Sequence, residues 1–197
     1  GFFWKPANDP AFISWHQDST YWGLSHADIC TAWIALTPST AESGCMQVVP
    51  GTHKREQVAH RDTFAEDNLL TRGQEIAVEV DPADAVDVEL QPGEMSLHHV
   101  RLFHGSEPNR SDQPRIGFAV RYIPTYIRQT ADVRDSASLV RGVDELGYFD
   151  PEPRPATDFD PECVAFHKSM LERAEKIYYS GSAKVKHFTS AENRTGM

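Results

Sequence analysis

The apolar residues of the chain occur in short runs, which segments rich in proline and glycine separate. In one run Val86, Val88 and Leu90 alternate with acidic residues, a pattern typical of a strand with one buried face. Short strands joined by such turns predict a mainly β protein, an antiparallel sandwich or barrel. The runs that we predict to be strands are residues 1–5, 11–18, 28–36, 45–50, 86–90, 94–100 and 115–123.

Two segments depart from this pattern. Residues 54–75 are polar and do not alternate, which predicts a surface insertion, either a lid or a solvated loop. Residues 161–181 read as a C-terminal helix, because Pro161 stands near its start and Gly181 near its end. Residues 182–197 are expected to form a frayed tail.

The chain as a whole reads as a single domain of 197 residues, since neither an internal repeat nor a second domain is recognisable. It begins with a predicted strand and without methionine, so we expect a further N-terminal segment to precede it.

The composition narrows the class of partner. The chain has 29 acidic and 19 basic residues, a net charge of −10, which argues against nucleic acid or an anionic membrane. Apolar runs long enough to span a bilayer are absent from the sequence. The three cysteines, Cys30, Cys45 and Cys163, are far apart and form no CxxC pair, which is typical of reduced thiols in a cytoplasmic protein.

A candidate metal-binding pair lies in the segment ISWHQDSTYWG. If residues 11–18 are extended, His16 and Asp18 share one face while Gln17 points to the other. Such a pair is a weak signal and needs a third ligand from another strand. His98, His99 and His104 are the remaining candidates. Four histidines are discounted because they fall in the insertion, a turn, the helix or the tail: His60, His53, His167 and His187.

Two histidines and one carboxylate form the facial triad of non-haem Fe(II) oxygenases, which leaves metal positions open for a cosubstrate and O₂. A closed structural zinc site would need a fourth protein ligand, for which cysteine is the usual choice. The sequence places no cysteine beside His16 and Asp18.

A resemblance to a known family rests on several short motifs. They are His16-Gln17-Asp18, the stretch TAWIAL at 31–36, GCMQVVPGTHK at 44–54, His104-Gly105-Ser106, Asn109-Arg110-Ser111, and Arg115 eleven residues after His104. Together, over residues 10–124, the sequence resembles the phytanoyl-CoA dioxygenase family of Fe(II)/2-oxoglutarate oxygenases. The resemblance implies a double-stranded β-helix, the cupin-like jelly roll, with flanking helices.

The resemblance also implies roles for individual residues. His104 is the third metal ligand, and Arg115 binds the far carboxylate of 2-oxoglutarate. Arg115, Gly117, Ala119 and Arg121 share one strand face, where glycine and alanine leave room for a ligand, while Phe118, Val120 and Tyr122 suit the opposite, packed face. The alternative for Arg115 is a surface arginine. Trp33 lies beside the cosubstrate or is simply a buried strand residue. Ser106 either donates a hydrogen bond near the cosubstrate or serves the turn. The implied cofactors are Fe(II), 2-oxoglutarate and O₂.

The implied reaction is hydroxylation of a small-molecule metabolite with release of succinate and CO₂. Asp18 fills the position that related halogenases leave to chloride, which favours a hydroxylase. Alternatives are a non-catalytic jelly-roll binding protein and a zinc hydrolase. Candidate substrate contacts are Tyr21 and Trp22, which could instead plug the barrel end, His98, and Arg121, which could instead pair with an acid. The oligomeric state cannot be read from the sequence.

Overall fold

The structure is a computed structural model that describes residues 1–180 and residue 182. Its strands are β1 (Phe2–Lys5), β2 (Ile13–His16), β3 (Cys30–Ala35), β4 (Met46–Val48), β5 (His60–Asp62), β6 (Gln74–Ile76), β7 (Val86–Val88), β8 (Met95–His99), β9 (His104–Ser106), β10 (Arg115–Tyr122), β11 (Ser136–Ala137) and β12 (Asp150–Pro151). Its α-helices are α1 (Ser19–Trp22) and α2 (Pro161–Tyr178), and single 3₁₀ turns cover Thr52–Lys54 and Pro82–Asp84. The mainly β prediction is confirmed, and each predicted run contains a strand.

The chain divides into two compact units. The first comprises Gly1–Thr20 and Ala27–Ile123, and the second comprises Tyr21–His26 and the chain from Pro124 onward. The expectation of a single domain stays a prediction.

In the first unit, one four-stranded sheet has the order β1-β10-β3-β8, and every pair is antiparallel. Arg115, Gly117 and Ala119 are the buried residues of β10 and share one face, as its alternation predicts, but Arg121 of the same face is exposed. The opposite face, predicted to be the packed one, is only partly buried at Phe118 and Val120 and exposed at Tyr122. Trp33 and Ala35 of β3 form a core cluster with Ala119. This buried face of the sheet therefore carries two of the predicted cosubstrate residues, Arg115 and Trp33, while the third, Ser106, lies on β9 of the other sheet.

The second sheet of this unit has the order β2-β9-β4-β7 and is also antiparallel. Its register places His16 directly opposite His104, and an irregularity lies between Ile13 and His16. β2 ends at His16, so Asp18 lies in the turn before α1 rather than on the strand. The alternation argument for His16 and Asp18 was therefore wrong in detail, because a turn brings the two side chains together.

The segment 54–75 contains a structure that the sequence pattern did not predict. β5 and β6 form an antiparallel pair, with His60 opposite Ile76. Gln74 and Asn68 are buried, and Asn68 donates a hydrogen bond to Ser14 Oγ of β2 at 2.8 Å. Strands of three residues are too short to show alternation, and these are mostly polar. Whether the segment acts as a lid stays a prediction.

The second unit contains the predicted C-terminal helix. α2 covers Pro161–Tyr178, and the Asp160 side chain caps its N-terminus by accepting from the backbone N–H groups of Glu162 and Cys163. Gly181 and residues 183–197, which hold the predicted tail, lie outside the described residues. None of the described helices combines the length and apolar character that crossing a bilayer requires.

Candidate metal centre

Three buried side chains meet where β2 and β9 pair. His16, Asp18 and His104 each offer one ligand atom, and these atoms all lie within 4.8 Å of one another. Asp18 Oδ1 is 3.4 Å from His16 Nε2 and 3.8 Å from His104 Nε2. We call these three residues the triad.

Hydrogen bonds orient both imidazoles of the triad. The backbone carbonyl of Ser14 lies 2.8 Å from His16 Nδ1, and that of Leu102 lies 2.9 Å from His104 Nδ1. A carbonyl can only accept, so each Nδ1 carries a proton, and each Nε2 points at Asp18 to bind either a second proton or a metal cation. Second-shell bonds of this kind are usual for histidines that bind metals.

Burial and nearby groups determine the protonation states of His104 and Asp18. Burial, followed by the charge of His16, lowers the pKa of His104 to about 3, so its Nε2 presents a lone pair to the carboxylate. Burial alone would raise the pKa of Asp18, but its hydrogen bond with His16 holds it below the usual range. A lone pair and a carboxylate facing each other fit a divalent cation between them.

A second group of buried polar side chains lies on the sheet that contains β10. Arg115 donates to the backbone carbonyl of Gly44 at 2.9 Å, and its guanidinium lies 5.3 Å from the Trp33 ring centroid. Arg115 Nε is buried without a hydrogen-bond partner among the described residues. A Cβ on Gly117 would overlap the Trp33 indole, so only glycine admits the ring at this position.

Sequence reasoning missed one member of this group. Lys5, at the end of β1, is fully buried and donates to Ser106 Oγ at 2.7 Å and to the Glu107 carbonyl. A lysine at the end of a strand looks like a surface residue, so the sequence holds no signal for its burial. Ser106, predicted to lie near the cosubstrate, therefore accepts a hydrogen bond from Lys5, a second buried cation in addition to Arg115.

The structure places the four predicted substrate residues in different surroundings. His98, on β8, has its Nε2 4.0 Å from Asp18 Oδ2, and its Nδ1 is buried without a hydrogen-bond partner among the described residues. Arg121 is exposed, and its guanidinium lies 5.9 Å from the Phe3 ring centroid. Tyr21 and Trp22 fall in the second unit, where the Tyr21 ring lies 6.3 Å from that of Tyr178.

His60 was discounted in the sequence, yet it packs beside the triad's strand. Its Nε2 accepts from the backbone N–H of Gln17 at 3.0 Å, and its Nδ1 lies 2.9 Å from the Val58 carbonyl. The Gln17 side chain in turn donates to the Arg101 carbonyl and accepts from the Val58 N–H. Segment 54–75 thereby supports the turn that carries Asp18, a long-range contact that no local pattern could reveal.

The fold and the triad define a class, the jelly-roll proteins with two histidines and one carboxylate in a buried site. The family model described as phytanoyl-CoA dioxygenase (PhyH) matches residues 2–117. The chain therefore belongs to the phytanoyl-CoA dioxygenase family, as its motifs predicted.

Relatives and solved structures agree with this assignment. A probable phytanoyl-CoA dioxygenase of Caenorhabditis elegans is 34% identical over 108 residues, which is 54% of this chain and 35% of that protein. The non-heme monooxygenase ThoJ, in its apo form, is 38% identical with a TM-score of 0.79 and covers 90% of this chain and 64% of its own. EvdO2 of Micromonospora carbonacea var. aurantiaca, complexed with 2-oxoglutarate, is 30% identical with a TM-score of 0.54. The match covers 67% of this chain and 54% of EvdO2.

These similarities confirm the predicted jelly-roll fold. The chain nevertheless spans only about a third of the length of the nematode relative and under two thirds of ThoJ.

Proposed function

We propose that the chain is the oxygenase core of an Fe(II)- and 2-oxoglutarate-dependent dioxygenase that hydroxylates a small molecule. His16, Asp18 and His104 bind the iron in this proposal. The observation that carries it is the orientation of the two imidazoles, whose Nε2 atoms face one buried carboxylate. Family membership supports it, as do a nickel complex of ThoJ and the 2-oxoglutarate complex of EvdO2.

The chain's own residues have distinct tasks in this reaction. Fe(II), 2-oxoglutarate and O₂ together supply the oxidising chemistry, with succinate and CO₂ as products. Arg115 matches a carboxylate with its planar guanidinium and orients the far end of the cosubstrate. Trp33 covers one side of Arg115, and its apolar surface limits the access of water.

Asp18 favours hydroxylation over halogenation, because its carboxylate takes the ligand position that chloride would need. A zinc hydrolase and a non-catalytic binding protein remain the competing functions. Both predict that 2-oxoglutarate does not bind to an iron-loaded protein.

We expect anaerobic addition of Fe(II) and then 2-oxoglutarate to produce a weak visible charge-transfer band. In air, we expect succinate release, slow without substrate and faster with the correct member of a metabolite panel. The measurements are absorbance and succinate quantification. If zinc supports turnover without 2-oxoglutarate, the hydrolase is correct, and if neither signal appears, the chain is a binding protein.

We infer that the substrate carries a hydrogen-bonding group near the reacting carbon. Thr31 of β3 lies directly opposite His98 of β8. Thr31 Oγ1, His98 Nδ1 and Ser96 Oγ are all buried without hydrogen-bond partners among the described residues. Leaving such atoms unpaired costs about 1–3 kcal/mol each, so a ligand that bonds to them gains that energy.

We therefore expect His98→Phe to lower substrate-stimulated succinate release by about 10-fold or more, the value of one lost hydrogen bond to a buried group. Slow release without substrate should fall less, because His98 lies 4.0 Å from Asp18 but is not a member of the triad. His99→Phe is the matched control, because the next residue of a strand points to the other face. Equal losses in both variants would argue against a substrate contact at His98.

We also propose a cytoplasmic location and a small molecule as the partner. The three cysteines are free thiols, which suits a reducing compartment, and the net charge of −10 disfavours nucleic acid.

A further inference from the structure

Two buried cations face each other in the first sheet. Lys5 of β1 and Arg115 of β10 are register partners, so their side chains lie on the same face. The relative exposure of Lys5 is 0% and that of Arg115 is 2%. Like charges directly opposite each other destabilise a sheet, and burial increases the cost. A fold that keeps this pair needs a reason for it.

No carboxylate of the described residues forms an ion pair with either cation. Lys5 donates to the Ser106 hydroxyl and the Glu107 carbonyl, and Arg115 donates to the Gly44 carbonyl. All three acceptors are uncharged. Burial, and then the charge of Arg115, lowers the pKa of Lys5 to about 7, although the charges of Glu107 and Asp9 act in the opposite direction. The pair therefore has no counter-charge among the described residues.

The position of the pair indicates what supplies that charge. Ser106, which accepts from Lys5, lies two residues after His104 on β9, and alternation gives both side chains the same face. Two residues of a strand span about 7 Å. That distance suits a short, five-carbon diacid that binds the metal at one end and the cations at the other.

We propose that Lys5 is a cosubstrate-binding residue that shares the far carboxylate of 2-oxoglutarate with Arg115. Through this shared contact, the site selects 2-oxo acids that carry a second carboxylate. The inference rests on the proposed function, because it assumes that the triad binds Fe(II) and the cosubstrate chelates it.

The test compares two ligands of equal length, 2-oxoglutarate and 2-oxovalerate, which ends in a methyl group. Their Kd values are measured by anaerobic titration of the Fe(II)-loaded protein, using the charge-transfer band. In Lys5→Met, we expect the Kd of 2-oxoglutarate to rise about 10–100-fold, the value of one charge-assisted hydrogen bond, and that of 2-oxovalerate to stay constant. Lys5→Arg should retain the preference for the diacid.

Two further variants make the result unambiguous. Lys54→Met places the same substitution on an exposed lysine and should change neither Kd. Lys5→Gln keeps a hydrogen-bond donor for Ser106 without the charge, and it decides the question if Lys5→Met does not fold.

Two outcomes would overturn the inference, and they differ. If the Lys5 variants raise the Kd of both ligands equally, or of neither, Lys5 has only a structural role while the proposed function stands. If the wild-type protein binds neither 2-oxo acid with Fe(II), the proposed function fails, and the role of Lys5 fails with it.

Discussion

Replacing Asp18 by alanine is expected to lower iron affinity and iron-dependent succinate release at least about 100-fold. Mutating a residue that only hydrogen-bonds to a metal ligand already lowers metal affinity or activity about 10–100-fold. Asp18 is itself a ligand and the sole anionic member of the triad. Without it two imidazoles remain, which hold a divalent cation weakly. The measurements are anaerobic Fe(II) titration and succinate release on the same preparation.

The design of that experiment separates charge from shape. Asp18→Asn preserves the size of the side chain. It should lose iron affinity and succinate release as Asp18→Ala does, because an amide carries no negative charge. Asp84→Ala, on an exposed 3₁₀ turn, is the matched control and should behave as the wild-type protein does. Full iron-dependent activity in Asp18→Ala would remove the triad from the proposed mechanism and with it the assignment of hydroxylation.

The elements predicted well from the sequence are those whose signal is local. β10 has eight residues, long enough for alternation to assign Arg115, Gly117 and Ala119 to one face, although the sequence did not predict that this face is the buried one. The C-terminal helix was recognisable from Pro161 at its start, although it ends at Tyr178, three residues before the predicted boundary. Such patterns need no knowledge of the rest of the chain.

The parts that could not be predicted depend on contacts between distant segments. No periodicity places His16 opposite His104, and only the family's motifs linked the two. The burial of Lys5 follows from the pairing of β1 with β10, and the support that His60 gives to Gln17 follows from the fold of segment 54–75. The residue type of Lys5, and the polar segment around His60, had indicated surface positions for these two residues.

The largest expected loss of stability follows from Gly44→Ala. Gly44 has φ +69°, a left-handed conformation that costs an alanine about 1–2 kcal/mol. An added Cβ would also overlap the Glu107 carbonyl oxygen and lie 2.8 Å from that of Pro108. Because both are backbone atoms, they cannot move aside as a flexible side chain would, and overpacking adds about 1–3 kcal/mol.

The expected total, about 2–5 kcal/mol, is a large share of the 5–15 kcal/mol by which domains are typically stable. It is measured as the change in unfolding free energy in urea. Gly51→Ala is the matched control, since Gly51 has φ +82° but nothing within 4 Å of an added Cβ, so it should lose only the conformational part. The Gly44 carbonyl accepts from Arg115, so Gly44→Ala should also weaken 2-oxoglutarate binding, which Gly51→Ala should leave intact. Equal destabilisation in the two variants would mean that the Glu107–Pro108 backbone yields to the methyl group, and Arg115 would then keep its anchor.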